Sequence, residues 1–531
     1  MTPLGTPHGH LCIVLHGHLP YVRHPEHPIF LEEQWLFEAI TETYLPLLDR
    51  FTTLVEKGVP FRITLSVSPT LTAMLTDPLL QARYRARLEQ LLRLSERECA
   101  RTAGDDRFHP LAELSRRNFE HCRWLYLERF QRDLVGAFRR LDQSGCVELI
   151  TCAATHGFLP LMAVCPESIA AQVEVGCRVF AEAFGHRPAG LWLPECGYHP
   201  AVDAALRASR IQFTVVEAHG LLYARPRPKF GVYAPVLAPG GTAVFGRDPE
   251  TAQQVWSAVD GYPGDPWYRD FYRDLGYDLP AEQLTSVIHP DGHRTMTGIK
   301  YYRITGRTEE KAPYEPARAA AQAEAHAANF VFNRERQVEH LADLMGQSPV
   351  VTAPYDAELF GHWWFEGPQW LELVLRKLAA HPEVVELTTP SEQLRRQPRL
   401  QRVRPCLSSW GWKGYNEMWL QGTNAWIYRH LHQASWRMTE LVRAYPAATG
   451  LTRRALTQAL RELLLAQASD WAFIMATGTV VAYAQERTRQ HLVRFTRLYQ
   501  QIHHGAIDAE FLADCEFRDN CFPTLDYHVH A

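Results

Sequence analysis

The sequence predicts an α/β fold built on parallel β-strands. Short apolar runs recur up to residue 353, and each stops at polar or turn residues, as buried parallel strands do. The segments between these runs are long and often have helical spacing, and strands that alternate with helices are typical of a parallel barrel or sheet. Seven strands suit an incomplete barrel. The predicted strands are 11–15, 61–67, 147–150, 190–193, 213–216, 243–245 and 350–353.

Helical spacing predicts long helices and a division of the chain. The region of about 70–140 is strongly helical and longer than a crossover requires, so we expect an inserted helical lobe there. The arginine-rich segment 395–404 is interrupted by Pro398 and is predicted to be a solvated linker rather than a nucleic-acid patch. It separates an α/β unit, 1–394, from a helical C-terminal domain, 405–531. The clearest single helices are predicted at 32–57, 317–345, 456–468 and 482–498.

Bulk composition narrows the class of protein. A chain of 531 residues with 46% hydrophobic content can bury a large core and is expected to form two or three structural units. The formal net charge of −4 gives no electrostatic reason to bind nucleic acid or an anionic membrane. The apolar run 11–15 is too short to span a bilayer, and no signal-peptide pattern precedes it. We expect a cytoplasmic protein with an uncharged substrate.

The cysteines indicate neither disulfides nor a zinc site. There are eleven of them, an odd number, and they are scattered without any CxxC pair. A reducing compartment is therefore expected.

Two predicted strands end on a carboxylate next to aromatic residues. Segment 190–198 contains Glu195, and segment 353–364 contains Asp356 and Glu358. Cleavage of a glycosidic bond with retention needs one ionised carboxylate that attacks and one carboxyl group that holds a proton. We predict that Glu195 and Asp356 form this catalytic pair. Glu358 is predicted to fix neighbouring groups instead.

Histidines at the first strand end allow two interpretations. His16 and His18 alternate along an extended segment, so both imidazoles face the same side. They could bind sugar hydroxyls, or they could ligate a metal as in metal-dependent hydrolases and deacetylases. Since no carboxylate-rich cluster accompanies them, we predict sugar binding, with no metal and no cofactor. The metal site, if present, would be completed by His156, His219 and His362.

Tryptophans accumulate in the same part of the sequence as the second carboxylate and beyond it. Aromatic rings cover the apolar faces of sugars, while imidazoles and carboxylates bind the hydroxyls. A single tryptophan is more often part of the core, so the prediction depends on the cluster. Its members are Trp363, Trp364, Trp410, Trp412, Trp419 and Trp426.

These residues resemble the motifs of glycoside hydrolase family 57, close to its 1,4-α-glucan branching enzymes and related α-amylase-type members. The similarity runs through nearly the whole chain. Four motifs occur in order: HGHLP at 16–20, ELITCAATHG at 148–157, WLPE at 192–195 and YDAELFGH at 355–362. Shorter similarities lie at 254–257, 261–265, 409–411 and 469–471.

The resemblance implies a seven-stranded (β/α) barrel with a helical insertion and a C-terminal helical domain that lines the cleft. It implies Glu195 as the nucleophile and Asp356 as the acid/base. It also implies that Trp256, Trp410 and Trp419 contact an α-glucan such as amylose or a glycogen-like polymer. With the residues discussed above, the predicted substrate-binding set is His16, His18, His156, Trp256, His362, Trp363, Trp410, Trp419 and Asp470.

Two positions depart from the family pattern. Branching enzymes of the family resemble one another in having a tyrosine on a mobile loop over the cleft, and segment 228–233 is placed there, with Phe230 at the tyrosine position and Tyr233 nearby. Glu217 stands where the family commonly has aspartate. Because such a loop excludes water, the missing hydroxyl weakens the expectation of transfer over hydrolysis.

The expected activity is cleavage of an α-1,4 bond with retention and transfer of the glycosyl unit to a 6-hydroxyl. One alternative is an α-amylase or a 4-α-glucanotransferase on the same scaffold. Others are a metal-dependent hydrolase or deacetylase built on His16, His18 and His219, and a glucan-binding protein with degenerate chemistry. Sensitivity to chelators separates the metal-dependent class, and intact Glu195 and Asp356 argue against degeneracy. The oligomeric state is left open.

Overall fold

The computed structural model describes residues 7–257, 259–285 and 287–531. Each strand predicted from the sequence overlaps a strand of the structure, so the predicted positions are confirmed. Three further strands are only two or three residues long, too short for a hydrophobic period to reveal them. The strands are β1 (Gly9–Gly17), β2 (Ile63–Val67), β3 (Val147–Cys152), β4 (Leu191–Trp192), β5 (Phe213–Val216), β6 (Val236–Leu237), β7 (Ala243–Gly246), β8 (Val350–Asp356), β9 (Val385–Leu387) and β10 (Gln401–Arg402).

The strands form a parallel sheet and a smaller mixed sheet. The first has the order β4-β3-β2-β1-β8, with β9 also pairing with β1, and all of its pairs are parallel. The second has the order β10-β6-β7-β5, in which β6 and β7 are antiparallel. Single parallel bridges join the two sheets on both sides, Gly190 to Phe213 and Arg247 to Thr352. The carboxyl ends of β1 to β5, β7 and β8 consequently face one side of the molecule.

Helices cover the strands and make up most of the remaining chain. The predicted helix 32–57 is nearly continuous, since a π-helical segment, Ile40–Tyr44, joins its two α-helical parts. The helices are α1 (Glu33–Ala39), α2 (Leu45–Glu56), α3 (Pro69–Thr76), α4 (Pro78–Arg101), α5 (His109–Trp124), α6 (Leu134–Gln143), α7 (Pro166–Phe184), α8 (Val202–Ala208), α9 (Ala218–Leu222), α10 (Pro249–Trp256), α11 (Leu275–Asp278), α12 (Pro316–Met345), α13 (Gly367–Ala380), α14 (Pro390–Arg396), α15 (Trp426–Ala444), α16 (Gly450–Ala466), α17 (Ser469–Thr477), α18 (Val481–His503) and α19 (Ala509–Arg518).

Local sequence explains where the first helices after β2 begin. Ser68 and Asp77 accept hydrogen bonds from the N–H groups of Leu71 and Leu80, which satisfies backbone donors that a helix start leaves free. Each cap is followed by a proline, which is tolerated in the first helical turn because no intrahelical bond is lost. The 70–140 region is therefore helical, as its composition predicts.

The segment predicted as a linker is attached to the strands. Gln401 and Arg402 form β10 and pair with β6, and the N–H groups of Val403 and Arg404 donate to the carbonyls of Leu237 and Arg225. The side chains of β10 are exposed, as expected of a solvated segment. Its backbone nevertheless extends the second sheet.

The structure shows the state of the cysteines and whether a helix of the described residues could cross a membrane. All eleven cysteines lie in the described part of the chain and are free thiols. None of the helices within residues 7–257, 259–285 and 287–531 is long and apolar enough to cross a bilayer.

A buried ionic cluster ties together the C-terminal helices. Asp519, which follows α19, is fully buried and pairs with Arg487 at 3.4 Å and with Arg494, both on α18. On the same helix, His491 Nδ1 lies 2.6 Å from Glu462 of α16. Removing one partner from such a cluster leaves a buried charge without compensation.

We expect Arg487→Met to destabilise the protein by about 3–5 kcal/mol, because Asp519 would lose one of its two guanidinium partners without gaining access to water. The matched control is Arg454→Met, which removes a half-exposed arginine paired with Glu516 at the surface and should cost less than about 1 kcal/mol. Thermal unfolding of both variants measures the difference. Equal melting temperatures would show that the buried cluster does not stabilise the helices.

Candidate active site

Imidazoles line the carboxyl end of β1. In the strand registers His16 is paired with Ser66 of β2 on one side and with Asp356 of β8 on the other, so these residues lie at the same level of the sheet. His16 Nδ1 is 3.0 Å from Ser66 Oγ, and its Nε2 is 2.9 Å from His156 Nε2. Burial lowers the pKa of both His16 and His156 well below the ordinary value, so both rings are neutral. One donates the shared hydrogen bond and the other accepts it.

Glu195 follows β4 and has a strained backbone conformation that its surroundings must stabilise. Its φ of 61° lies in the left-handed region, which costs a residue with a side chain about 1–3 kcal/mol. The Trp410 N–H donates to the Glu195 carbonyl at 2.9 Å. The Glu195 carboxylate accepts hydrogen bonds from Trp410 Nε1 at 2.6 Å and from Ser469 Oγ at 2.9 Å. The local strain therefore directs this carboxylate towards donors from two distant parts of the chain.

Asp356 is the last residue of β8 and has a different environment. None of the described residues donates a hydrogen bond to its carboxyl group, whereas Trp410 and Ser469 both donate to Glu195. Burial raises the pKa of Asp356 well above its ordinary value, and the negative charges of Glu358 and Glu195 raise it further against the opposing charge of Arg247. Burial and the neighbouring carboxylates therefore favour the protonated form of Asp356.

Burial raises the pKa of Glu195 to about 7, with hydrogen bonds from Trp410 and Ser469 lowering it and the charge of Asp470 raising it. Glycosidic chemistry with retention requires one carboxylate that is ionised and one carboxyl group that holds a proton. The two hydrogen bonds favour the ionised form of Glu195, whereas burial beside Glu358 favours the protonated form of Asp356.

Glu358 acts on the site through its neighbours, as predicted from the sequence. It lies on a short 3₁₀ turn, Ala357–Leu359, and accepts hydrogen bonds from the Tyr44 hydroxyl and from the His18 N–H at 3.0 Å. Its charge raises the pKa of Asp356.

The helix α17 brings two side chains to this site from the C-terminal part of the chain. Ser469, its first residue, contacts Glu195 as described and also His156, whose Nδ1 lies 2.8 Å from the hydroxyl. Asp470 contacts His18 Nε2 at 3.1 Å. The Ser469 N–H donates to the His156 carbonyl at 3.0 Å, which fixes the start of the helix against the strand ends. The site is therefore incomplete without α17.

Two groups were not singled out as site residues in the sequence analysis. Ser469 gave no signal beyond its place next to Asp470, because serine is common in every environment. Arg247, after β7, pairs with Glu217 at 3.0 Å and lies 5.6 Å from the centre of the Trp410 ring. Glu217 therefore fixes the cation that faces Trp410.

Some of the predicted tryptophans line a cleft, and others are buried in the core. Trp256 and Trp363 are about half exposed and line an open cleft of about 1160 Å³, together with Leu359 from the turn after Asp356. Trp410 stacks towards Trp256, with 6.2 Å between ring centres. Trp364 and Trp419 are each 1% exposed.

Trp419 stacks on Phe158 at 4.5 Å between ring centres and belongs to the core beneath the cleft. The expectation of a direct glucan contact from Trp419 is not met in this arrangement, because neither ring face reaches solvent. His362 is bonded to Glu42 at 2.6 Å. Burial alone would lower the pKa of His362, but the hydrogen bond and charge of Glu42 raise it.

Phe230 and Tyr233, which are predicted on a loop over the cleft, contact several other elements of the chain. The Tyr233 carbonyl accepts a hydrogen bond from the N–H of Val350, the first residue of β8. Asp356 is the last residue of that strand, about 20 Å from Val350 along an extended backbone. Its hydroxyl donates to Asp248 at 3.2 Å. Phe230 packs under Lys229, whose N–H donates to Gln401 of β10. These contacts attach the segment to β8, to β10 and to the start of α10.

Among the described residues, three sets of side chains have ligand atoms close enough together to hold a metal ion: His16, Cys152 and His156; His18, His156 and Asp470; and Glu462, His491 and Asp519. The second set combines two of the predicted histidines with a carboxylate. Ligand atoms of His18, His156 and Asp470 lie within 4.8 Å of one another. The same groups already exchange hydrogen bonds with Ser68, Ser469 and each other, so their polar atoms are satisfied by protein partners. The predicted His219 does not contribute to this set, since its Nε2 bonds to the Gly414 carbonyl at 2.7 Å.

Unequal buried carboxyl groups at the carboxyl ends of parallel strands, bordered by exposed indoles, are characteristic of enzymes that act on glycosidic bonds. Comparison with known proteins gives the family. The profile of glycosyl hydrolase family 57 matches residues 12–405, and that of the 1,4-alpha-glucan branching enzyme C-terminal region matches residues 430–530. The chain belongs to glycosyl hydrolase family 57.

The individual relatives are named either branching enzymes or an alpha-amylase. The chain is 35% identical to the 1,4-alpha-glucan branching enzyme of Thermococcus kodakarensis over 97% of this chain and 77% of that protein. Among solved structures, the alpha-amylase AmyC of Thermotoga maritima is 42% identical with a TM-score of 0.91, covering 98% and 99% of the two chains. The branching enzyme of Pyrococcus horikoshii is 33% identical with a TM-score of 0.87, covering 98% and 97%.

We expect Ser469→Ala to lose activity on the acid side. The hydroxyl stabilises the ionised form of Glu195, so its removal raises that pKa, and the fall in kcat/KM as the pH drops through about 7 begins at a higher pH. At pH 6 the variant should be slower than wild type by about tenfold, and the deficit should shrink as the pH rises. The measurement is the pH profile of kcat/KM on amylose.

The control for this variant is Thr477→Ala, which removes a hydroxyl at the exposed far end of the same helix. Its pH profile should match that of wild type. An unshifted acid limb in Ser469→Ala would contradict the role given to this hydrogen bond.

Proposed function

We propose that this protein is a retaining 1,4-α-glucan branching enzyme, which cleaves an α-1,4 bond and transfers the glycosyl unit to form an α-1,6 branch. The observation on which the proposal depends is the pair Glu195 and Asp356 at one end of the strands, where two hydrogen bonds are donated to the Glu195 carboxylate and none of the described residues donates to the Asp356 carboxyl group. The names of the relatives at 35% and 33% identity and the match of residues 430–530 to the branching enzyme profile support transfer to a glucan.

In the first half-reaction Glu195 attacks the anomeric carbon of an α-1,4-linked unit. Asp356 gives its proton to the glycosidic oxygen as the bond to the leaving chain breaks. The product of this step is a glycosyl ester on Glu195 together with a leaving chain that has gained the proton. Burial and the lack of donors on Asp356 suit it to hold that proton, and the two donors on Glu195 suit it to be ionised.

In the second half-reaction Asp356 is ionised and acts as a base. It takes the proton of the 6-hydroxyl of an acceptor glucan while the hydroxyl oxygen attacks the anomeric carbon, and the ester bond to Glu195 breaks. Two displacements at one carbon restore the original configuration. If water takes the place of the acceptor hydroxyl, the same steps give hydrolysis.

Substrate contacts follow from the chemistry of the cleft walls. We propose that Trp256, Trp363 and Trp410 cover sugar faces, while His16, His18, His156, His362 and Asp470 bind hydroxyl groups. The half exposure of Trp256 and Trp363 along the cleft supports the first assignment. The location of His16 at the register level of Asp356 supports the second.

We also propose the finer architecture expected from the family: a seven-stranded barrel within 1–394 with a helical insertion at about 70–140, and a C-terminal helical domain within 405–531. The bridges Gly190 to Phe213 and Arg247 to Thr352 support closure of the ring. The contacts of Ser469 and Asp470 support a C-terminal domain that lines the cleft. The eleven free thiols support a cytoplasmic location.

Hydrolysis is the second candidate activity. The alpha-amylase AmyC resembles this chain over 98% of its length at 42% identity, a higher identity than that of the branching enzyme structure described above. In addition, Phe230 has no hydroxyl at the predicted loop position, and the hydroxyl of the nearby Tyr233 is bonded to Asp248.

Proton NMR of amylose incubated with the enzyme distinguishes these reactions. Branching increases α-1,6 linkages without a matching increase in reducing ends, whereas hydrolysis increases reducing ends alone. A 4-α-glucanotransferase changes neither count while it alters chain lengths. An increase in reducing ends without α-1,6 linkages would overturn the proposed transfer.

We expect chelation to leave turnover unchanged, because the two carboxyl groups supply both nucleophile and proton donor. Extensive dialysis against a chelator, followed by assay on amylose and metal analysis, checks this. Loss of activity that is restored by Zn²⁺ at stoichiometric occupancy would instead favour a metal site at His18, His156 and Asp470.

We expect Glu195→Gln to reduce turnover by at least about 10³-fold while leaving amylose affinity close to that of wild type, since the amide has nearly the same shape but cannot form the glycosyl ester. Glu339→Gln, on the outer helix α12, is the control and should retain full activity. Assay and binding are measured on the same preparations. Substantial turnover in Glu195→Gln would assign the nucleophile elsewhere.

A further inference from the structure

The loop of residues 409–416, which we name the Trp412 loop, holds two aromatic side chains in solvent. Trp412 is 60% exposed and Tyr415 is 45% exposed. Large aromatic side chains usually lose most of their contact with water on folding, so surface clusters of them mark binding sites. The described contacts of this loop place it next to the active site but leave these two rings outside it.

The backbone of the Trp412 loop is fixed in an unusual conformation. Left-handed φ values occur at four of its residues, and such residues persist only where surrounding contacts hold them. The Ser409 N–H donates to the Gly414 carbonyl at 2.9 Å, and the Asn416 N–H donates to Ser409 Oγ at 3.1 Å. The left-handed residues are Gly411 (81°), Lys413 (62°), Gly414 (78°) and Asn416 (79°).

Gly414 shows how closely this loop is fitted to the protein. A Cβ atom at Gly414 would lie 2.6 Å from the His219 ring, and its φ of 78° is in any case one that a residue with a side chain rarely adopts. His219 in turn bonds the Gly414 carbonyl at 2.7 Å and meets the Tyr415 ring at 4.8 Å between centres. The exposed rings are therefore presented in a fixed orientation, which lowers the entropy lost when a ligand binds.

The loop connects these rings directly to the nucleophile. Trp410, two residues before Trp412, donates one hydrogen bond to the Glu195 carboxylate and another to its backbone carbonyl. Two residues of extended chain span at most about 7 Å. A polymer that contacts Trp410 beside Glu195 therefore meets Trp412 and Tyr415 when it continues outward along the same loop.

Charge and spacing favour a carbohydrate over a protein partner. Lys413 Nζ lies 4.2 Å from the centre of the Trp412 ring, so a strong hydrogen-bond donor stands beside an apolar ring. Tyr223, at the end of α9, adds a third exposed ring at 59%, and its N–H donates to the His219 carbonyl at 3.1 Å. Separate rings with hydroxyl and ammonium groups between them match the alternating apolar faces and hydroxyls of a glucan.

We propose that Trp412 and Tyr415 form an outer binding subsite for α-glucan chains, which holds sugar units beyond those in contact with Trp410 and so makes the enzyme prefer long chains. This inference rests on the proposed function, because it takes an α-glucan as the polymer in the cleft. It adds a chain-length preference that the two carboxylates alone do not produce. Tyr223 extends the same surface.

The test compares long and short substrates. For Trp412→Ala and Tyr415→Ala, kcat/KM is measured on amylose and on maltohexaose. Each variant should reduce the ratio of the two values by about three- to tenfold, mainly through KM for amylose, and Trp412→Phe should recover part of the loss. Trp124→Ala, which removes a 46% exposed tryptophan at the end of α5, is the control and should leave the ratio unchanged.

Binding without turnover gives an independent readout. In the Glu195→Gln background, Trp412→Ala should weaken amylose binding by about the same factor, measured by affinity electrophoresis in gels that contain amylose. Circular dichroism and melting temperature confirm that each variant is folded.

Three outcomes would overturn the inference. An unchanged ratio in folded Trp412→Ala and Tyr415→Ala would remove the outer subsite, and an equal loss on both substrates would place these rings at the reacting units instead. Concentration-dependent association of wild type that Trp412→Ala abolishes, with an unchanged ratio, would assign the patch to contacts between copies of this chain. A wild type that neither cleaves nor binds amylose would refute the proposed function itself, which is a separate result.

Discussion

The structure depends on giving two buried carboxyl groups at neighbouring strand ends different hydrogen-bond partners. Burial raises the pKa of both groups. The two groups differ in their hydrogen bonds: Glu195 receives one from Trp410 and one from Ser469, while Asp356 receives none from the described residues and faces the negative Glu358. The other parts of the site either carry these two donors or hold them in place.

The two donors come from distant parts of the sequence, and this explains why so much of the chain is needed. Glu195 follows β4, Trp410 belongs to the Trp412 loop, and Ser469 begins α17. The strained backbone of Glu195 is held by the Trp410 N–H, so docking of this loop fixes both the position and the charge of the carboxylate. The buried charges of Arg487 and Asp519 join α18, the helix that follows α17, to the end of α19.

Much of this arrangement was predictable from the sequence, and the failures have physical reasons. The strands that carry the carboxylates are uninterrupted apolar runs, so their positions and the residues at their ends were found correctly. Short strands such as β6 and β10 have no period to detect. Ser469 looks like any other serine until folding places it beside Glu195. Trp419 could not be told from a sugar-binding tryptophan, since core and cleft rings have the same composition. The placement of Phe230 over the cleft stays a prediction, because the position of a loop depends on tertiary contacts such as those of Tyr233 with Val350 and Asp248.

The central claim is that Glu195 forms a covalent bond to the sugar while Asp356 transfers the proton. The most direct measurement uses Asp356→Asn with an α-maltosyl fluoride, whose leaving group needs no proton, so that the first step proceeds and the base for the second step is missing. Mass spectrometry of the digested protein should then show one maltosyl unit on the peptide that contains Glu195. Absence of any adduct during turnover, or an adduct on a different carboxylate, would contradict the account.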